Sequence, residues 1–489
     1  MAKFNQTATI KTENKSGRVA YGMTDKSKLV TQVLSSFFNE SKFYGDNSRE
    51  MEKTIKSVIK SDPEFVSKLA VFARREFNMR SVSHVLTAYL AHEPNGKPYV
   101  KDTVKGVTVR GDDVTEILSF YLSTFGKPIP NSLKKGINTA FAGFDEYTLA
   151  KYKGDGKAVK MRDILCLCHP TPKTKEQSEM WKRCIEGKLE TPTTWETQLS
   201  KIGNTTEAWE NLIASGKLGY MAILRNLRNI VSKNPKNIDK VWSTIENADR
   251  VRRSKQLPFR FLSAYKAIGE SAGSRAFDAL ENAVDASVEN IKKIPGTTVI
   301  AVDTSGSMSS FVSAKSEIRC CEIGMMLGLL ANRICENSIF YTFNNDIEKQ
   351  SLSKKTGILY AATHIRRVLG GTNMFLPFLK MIDDKVQADR IIIISDNECN
   401  ASAFWYRNRT VQSIAEEYRK VSGNDIWVHA IDLQGYGTQQ FHGNKTNIIA
   451  GWSEKVLDFI TLAEQGESTL ERTIENYNFK ENGFADFQN

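Results

Sequence analysis

Five oxygen-bearing side chains fall at three positions where a folded chain can gather them. Asp303, Ser305 and Ser307 lie in Asp303-Thr-Ser-Gly-Ser307 directly after an apolar run, Thr372 follows the Gly370-Gly371 turn, and Asp396 closes the apolar run Arg390 to Ser395. Three hydroxyls and two carboxylates form a hard donor set suited to a divalent ion such as Mg²⁺, which takes about six oxygens near octahedral positions and keeps some of them as water. Other chemistries fit less well. The chain has no G-x-S-x-G elbow and no G-x-x-x-x-G-K-[ST] loop, and position 305 is Ser where a phosphotransferase D-x-D loop needs a second aspartate. A two-metal nuclease needs carboxylates holding both ions at a nucleic-acid cleft, and this hydroxyl-rich set is poorly suited to that. The alternative is that these are ordinary Ser- and Gly-rich turns with aspartates capping helices. Thr372 and Asp396, each in a matching context, favour the metal.

Positioning such residues requires a sheet that ends its strands together. Residues Thr298 to Val302, Ser338 to Phe343, Arg390 to Ser395, Ile426 to Ile431 and Asn447 to Ala450 are short apolar runs rich in β-branched residues. Helical spacing occupies Ala314 to Asn337, Thr356 to Leu369, Met374 to Asp384, Val411 to Val421 and Glu454 to Ala463. Buried strands alternating with helices predict a mostly parallel, doubly wound α/β domain, with ligands at the carboxyl ends of the strands. After about Gly466 the chain turns polar, as a terminal helix or loose tail does.

Before the break at Ile294-Pro295-Gly296 the pattern is helical from about Asp25 to Glu289. Asp62-Pro63 reads as an N-cap followed by proline in the first turn of a helix containing Phe65, Leu69 and Phe72. In Lys217 to Ile230, Tyr220, Ile223, Leu224 and Leu227 form an apolar stripe while Arg225 and Arg228 share another face. A helical-repeat solenoid is compatible with this pattern, although no crisp repeat appears.

With 489 residues, 40% of them hydrophobic and 25% charged, the chain has material for two or three cores. It contains no membrane-length apolar run and begins with a polar stretch, so a cytoplasmic location is expected. Seven cysteines are odd in number and mostly sit in apolar segments, and Cys166, Cys168 and His169 lack the second pair that a zinc finger needs. Residues 1 to 290 carry 46 Lys and Arg against 33 Asp and Glu, whereas the rest is nearly balanced at 21 against 23. A positive surplus of 13 confined to one part is what a polyanion-binding surface requires.

The D-x-S-x-S, Thr, Asp pattern resembles the metal-ion-dependent adhesion site of the von Willebrand A family over residues 296 to 465. That resemblance implies that Asp303 and Asp396 act mainly through ordered waters, so that the ion, with few direct anionic ligands, stays electrophilic and accepts a carboxylate or similar oxygen from a partner. Four earlier segments resemble the TROVE module of the Ro ribonucleoprotein family: Met221-Ala-Ile-Leu-Arg225-Asn-Leu-Arg228-Asn, Leu257-Pro-Phe-Arg260-Phe-Leu, Asp163-Ile-Leu-Cys-Leu-Cys-His169-Pro and Lys68-Leu-Ala-Val-Phe-Ala-Arg74-Arg75. The order of the two parts is that family's own. It implies a Ro autoantigen orthologue of bacterial or phage origin, with a HEAT-like all-α ring module over 18–290, a Rossmann-like A domain over 296–465, and a C-terminal segment over 466–489.

The resemblance further implies a non-catalytic, monomeric RNA-binding protein acting in RNA quality control or processing. It would take single-stranded 3′ ends of misfolded or immature non-coding RNA in a central hole, and Y-like RNA on a basic outer surface. A 3′ exoribonuclease is a further implied partner. By motif, His169 with Lys151, Lys153, Lys160 and Arg162 would face the Y RNA, the cations fixing phosphates and His169 stacking or hydrogen-bonding. His169 before Pro170 is equally read as a helix-end histidine satisfied by backbone. Arg225, Arg228 and Arg260 would line the RNA path, or serve as ion-pair partners between helices. Lys68, Arg74, Arg75 and Arg80 read as a cationic run, most of it a solvated face. The competing class is a metal-dependent adhesion-type scaffold without RNA function.

Overall fold

A computed structural model describes residues 10–36, 48–269, 272–289, 291–312, 316–365, 368–401, 409–466 and 470–479. The chain forms two compact units. One comprises Met1–Thr24 with Trp195–Leu470, and the other Asp25–Thr194 with Glu471–Asn489.

The first unit contains the α/β part. Six strands, β3 (Ile294–Asp303), β4 (Cys335–Phe343), β5 (Ile347–Gln350), β6 (Arg390–Ser395), β7 (Trp427–Asp432) and β9 (Thr446–Ala450), form a sheet in the order β5-β4-β3-β6-β7-β9. All neighbours are parallel except β4 and β5. Every residue of β6 is buried, as expected of an inner strand covered on both faces. Val299, Ala301, Ile391, Ile393, Val428 and Ala430 point to one side, against Phe378, Ile414 and Tyr418. The register pairs Asp303 with Phe343, Val302 with Ile394 and Ser395 with Asp432, which brings the carboxyl ends of the strands to one edge.

The five strands expected from the apolar runs all form. β5 is an addition, because Ile347–Gln350 is polar and half-exposed and gives no apolar signal. Most of the helices are shorter than the periodicity suggests, Val411–Ser422 excepted. Cys320–Ile334 replaces the expected 314–337, Ile358–Thr363 replaces 356–369, and Asp458–Glu464 follows a separate turn at Glu454–Leu457. Residues 314, 315, 366 and 367 of those expectations lie outside the described residues.

A three-stranded sheet completes this unit: β1 (Lys11–Glu13), β2 (Val19–Gly22) and β8 (Thr438–Gln439), all antiparallel. The helices from Trp195–Ile202 to Ser274–Val288 also belong to it. In Tyr220–Lys233 the expected stripe is buried through Ile223, Leu224 and Leu227, while Tyr220 is half-buried and donates its hydroxyl to the Ile245 carbonyl at 2.7 Å.

The second unit is helical throughout its described residues. Helix Pro63–Arg75 starts as the sequence implies, with the Asp62 side chain accepting the Phe65 N–H at 3.0 Å. The reading of Lys68, Arg74, Arg75 and Arg80 as mostly solvated is corrected. The Arg74 side chain is 7% exposed and donates to Asp113 at 3.0 Å, and Arg80 donates to the same carboxylate at 2.7 Å. Arg75 donates to the Gly106 carbonyl and Lys68 to that of Glu475. A wholly buried Asp113, at the start of helix Asp113–Phe125 and invisible to local periodicity, draws Arg74 and Arg80 inward.

Candidate functional site

The sheet edge brings all five expected ligating residues together. Asp303 is fully buried, and one carboxylate oxygen accepts the Ser305 N–H at 2.8 Å while the other accepts the Ser395 hydroxyl at 2.6 Å. The Ser305 and Ser307 hydroxyls are 3.1 Å apart, the Thr372 hydroxyl donates to that of Ser305 at 2.9 Å, and Ser307 hydrogen-bonds the Asp396 carboxylate. The loops are tied by Gly306 N–H to Gly370 carbonyl at 2.9 Å. Gly371 is required on space grounds, since a Cβ there would lie 2.5 Å from Oδ1 of Asn400, the atom that accepts the Thr372 N–H.

Electrostatics fit the same assignment. Burial, and then the Asp396 carboxylate beside it, pushes Asp303 up to about 7, and burial likewise raises Asp396. Two carboxylates taken out of water next to one another repel, and a divalent cation relieves both the repulsion and the desolvation. Among the described residues no three His, Cys, Asp or Glu side chains are grouped to hold a metal. The three hydroxyls and two carboxylates form an oxygen-only set of a different kind, which suits Mg²⁺ rather than a soft metal.

The cationic candidates divide between the units. In the second, Lys151 is exposed with its ammonium 5.3 Å from the Tyr147 ring and 5.5 Å from Tyr152, and Arg162 is exposed. Lys153 pairs with Asp155 at the surface. Lys160 is half-buried at the start of helix Met161–Cys168, and His169 ends that helix in the left-handed conformation with its side chain exposed. In the first unit Arg225 and Arg228 are exposed, and Arg260 is half-buried over the Phe259 ring. Burial, and then the like charge of Arg225, lowers the pKa of Arg260. Ion pairs nearby join Arg252 to Asp249 and Glu289, and Arg275 to Glu246. Among the described residues they do not include Arg225 or Arg228.

The TROVE domain model matches residues 22–187 and 181–275, just over half of the chain, and the Ro60 vWA domain model matches 297–426. The chain belongs to the Ro family. The second match encloses all five residues of the candidate site. The fold of this Ro-family chain is similar to the crystal structure of the Deinococcus radiodurans RO (RSR) protein, with a TM-score of 0.62 and 16% identity over 91% of this chain and 100% of that one. Two curated relatives are telomerase protein component 1 of Rattus norvegicus, 24% identical over 49% of this chain, and of Mus musculus, 25% identical over 42%. The aligned parts cover 12% and 11% of those much longer proteins.

Sequence reasoning missed the residues that frame the centre. Ser395 read as the end of a strand, and Asn345 and Asn400, which accept the Gly371 and Thr372 N–H groups, carry no local signal. No helix among the described residues is long and apolar enough to cross a membrane.

Proposed function

We propose that this chain is a non-catalytic RNA-binding protein that takes Y-like RNA and the single-stranded 3′ ends of misfolded or immature non-coding RNA, in RNA quality control or processing. The observation that carries the reading is the exposed Arg225 beside the half-buried Arg260, whose pKa it lowers as a like charge after burial itself. A polyanion is attracted to such neighbouring like charges, and the surplus of 13 positive charges in residues 1 to 290 gives it a wider field. His169, Arg162, Lys160, Lys153 and Lys151, beside Tyr147 and Tyr152, supply a second, aromatic-flanked cationic surface suited to phosphates and unstacked bases. A cytoplasmic setting with a 3′ exoribonuclease as partner suits this role.

The test is salt dependence. Binding of a single-stranded RNA should weaken roughly 10²- to 10³-fold between 50 and 200 mM salt if about six phosphates are engaged. An affinity that does not change with salt, or none at low salt, overturns the reading.

The metal centre supports a second, compatible activity. A bound Mg²⁺ would be held by Ser305, Ser307 and Thr372, with Asp303 and Asp396 ordering its waters, and would supply an electrophilic position for a partner's carboxylate. Asp303→Ala is expected to lower Mn²⁺ affinity at least tenfold in calorimetry while leaving the salt slope of RNA binding unchanged. Equal Mn²⁺ binding by both proteins would remove the metal from the account.

A further inference from the structure

The first hairpin, β1 and β2, lies in the same compact unit as the metal centre and has no part in the activities above. Its turn is closely specified. Asn14 is 6% exposed, and its side-chain oxygen accepts the N–H groups of Ser16 at 3.1 Å and Arg18 at 2.9 Å. Its side-chain nitrogen donates to the Cys399 carbonyl at 2.7 Å, 385 positions along the chain. Lys15, next in the turn, places its ammonium 3.4 Å above the Tyr436 ring. β2 pairs with β8, whose Thr438 carbonyl accepts the Asn397 side-chain amide at 3.1 Å, and Gln440 donates to the Asn397 carbonyl at 3.3 Å.

The segment gripped in this way runs from Asp396 to Asn400. It carries one expected ligand, Asp396, and through Asn400 it holds Thr372 by two hydrogen bonds, at 2.8 and 3.0 Å. It leaves β6 through Asn397 in the left-handed region, at φ 63°. Two of the five ligating positions therefore depend on a loop whose outer side is held by the hairpin. Ligand sites bind more tightly when the ordering cost of their loops is met beforehand.

We propose that the β1–β2 hairpin is an intramolecular clamp on the metal centre, with Asn14 a positioning residue that acts through Cys399 on Asp396 and Thr372, so that hairpin docking and cation binding are coupled. This rests on the metal-centre reading above. Coupling is reciprocal: whatever factor the docked hairpin adds to cation affinity, the cation returns to hairpin docking.

The experiment uses the full chain and Mn²⁺ as probe. Asn14→Asp keeps the acceptor that closes the turn and loses the donor to Cys399. It is expected to weaken Mn²⁺ binding about tenfold, the size of one lost buried hydrogen bond, with the fold retained by circular dichroism. In the wild type, Mn²⁺ should slow amide exchange across residues 10–22, and in Asp303→Ala it should not. Should Asn14→Asp melt early, the exchange measurement on the wild type and Asp303→Ala decides alone. Unchanged exchange at 10–22, with Mn²⁺ bound by the wild type and lost in Asp303→Ala, overturns the clamp and leaves the metal centre standing. Failure of the wild type to bind Mn²⁺ removes both.

Discussion

Arg225→Glu and Arg228→Glu combined with Arg260→Gln should lower RNA affinity on the order of 10²- to 10³-fold at 100 mM salt and flatten the salt dependence. Arg225 and Arg228 are exposed on helix Tyr220–Lys233, whose Ile223, Leu224 and Leu227 are buried, so glutamates there reverse charge without entering a core. Arg260 is half-buried above Phe259, and the neutral Gln is chosen because a carboxylate in its place would be costly to bury. Removing the Arg225–Arg260 repulsion should leave the melting temperature equal or slightly raised. That separates loss of binding from loss of fold. The measurement is fluorescence anisotropy with a labelled single strand over a salt series, and wild-type affinity with a wild-type slope would sink the assignment of these arginines to the RNA path. The same series on Lys151→Ala, Arg162→Ala and His169→Ala, all in the other compact unit, asks whether that surface contributes its own slope.

The legible and illegible parts of this chain differ in the range of the interactions that fix them. β6 was readable because Ile391 to Ile394 lie inside a parallel sheet, where burial on both faces writes an unbroken apolar run. Asp303, Ser305, Ser307, Thr372 and Asp396 were readable because each stands at a strand end or a Gly-Gly turn, places a parallel sheet brings to one edge. β5 was not, since Ile347–Gln350 is an edge strand with half-exposed polar residues and is held by backbone pairing to β4. Asn14 and Asn400 were not, since the first acts across 385 positions and the second across 28. Arg74 misled for the same reason. Its partner Asp113 lies 39 positions on, and nothing in Lys68 to Arg80 distinguishes a cation that will be buried from one that stays in water.

That buried cluster carries the largest expected effect on stability. Asp113 accepts five hydrogen bonds: from Arg74, Arg80 and His84 side chains, and from the Val109 and Arg110 N–H groups at 2.9 and 2.8 Å. Burial on its own would raise its carboxyl, but the His84 hydrogen bond and the charges of Arg74 and Arg80 prevail and hold it well below the usual carboxylate range. Asp113→Ala leaves the buried Arg74 without its counter-charge and is expected to destabilise the helical unit by about 3–5 kcal/mol. Adding Arg74→Met should recover part of that loss, because removing both members of a buried pair costs far less than removing one. Urea titration by circular dichroism reads both, and a loss under about 1 kcal/mol for Asp113→Ala would mean the cluster is incidental. The pH dependence has a definite sign. Asp113, lowered in the fold, contributes stability that is complete above its unfolded value near 3.9 and is lost only as pH falls through its depressed native value. His84, whose pKa burial lowers from 6.5, acts earlier: below about 6.5 the unfolded chain gains a proton that the folded one refuses, and stability falls with pH. His84→Gln should therefore flatten the decline between pH 6.5 and 5 while leaving the steeper loss at lower pH, where Asp113 itself is protonated.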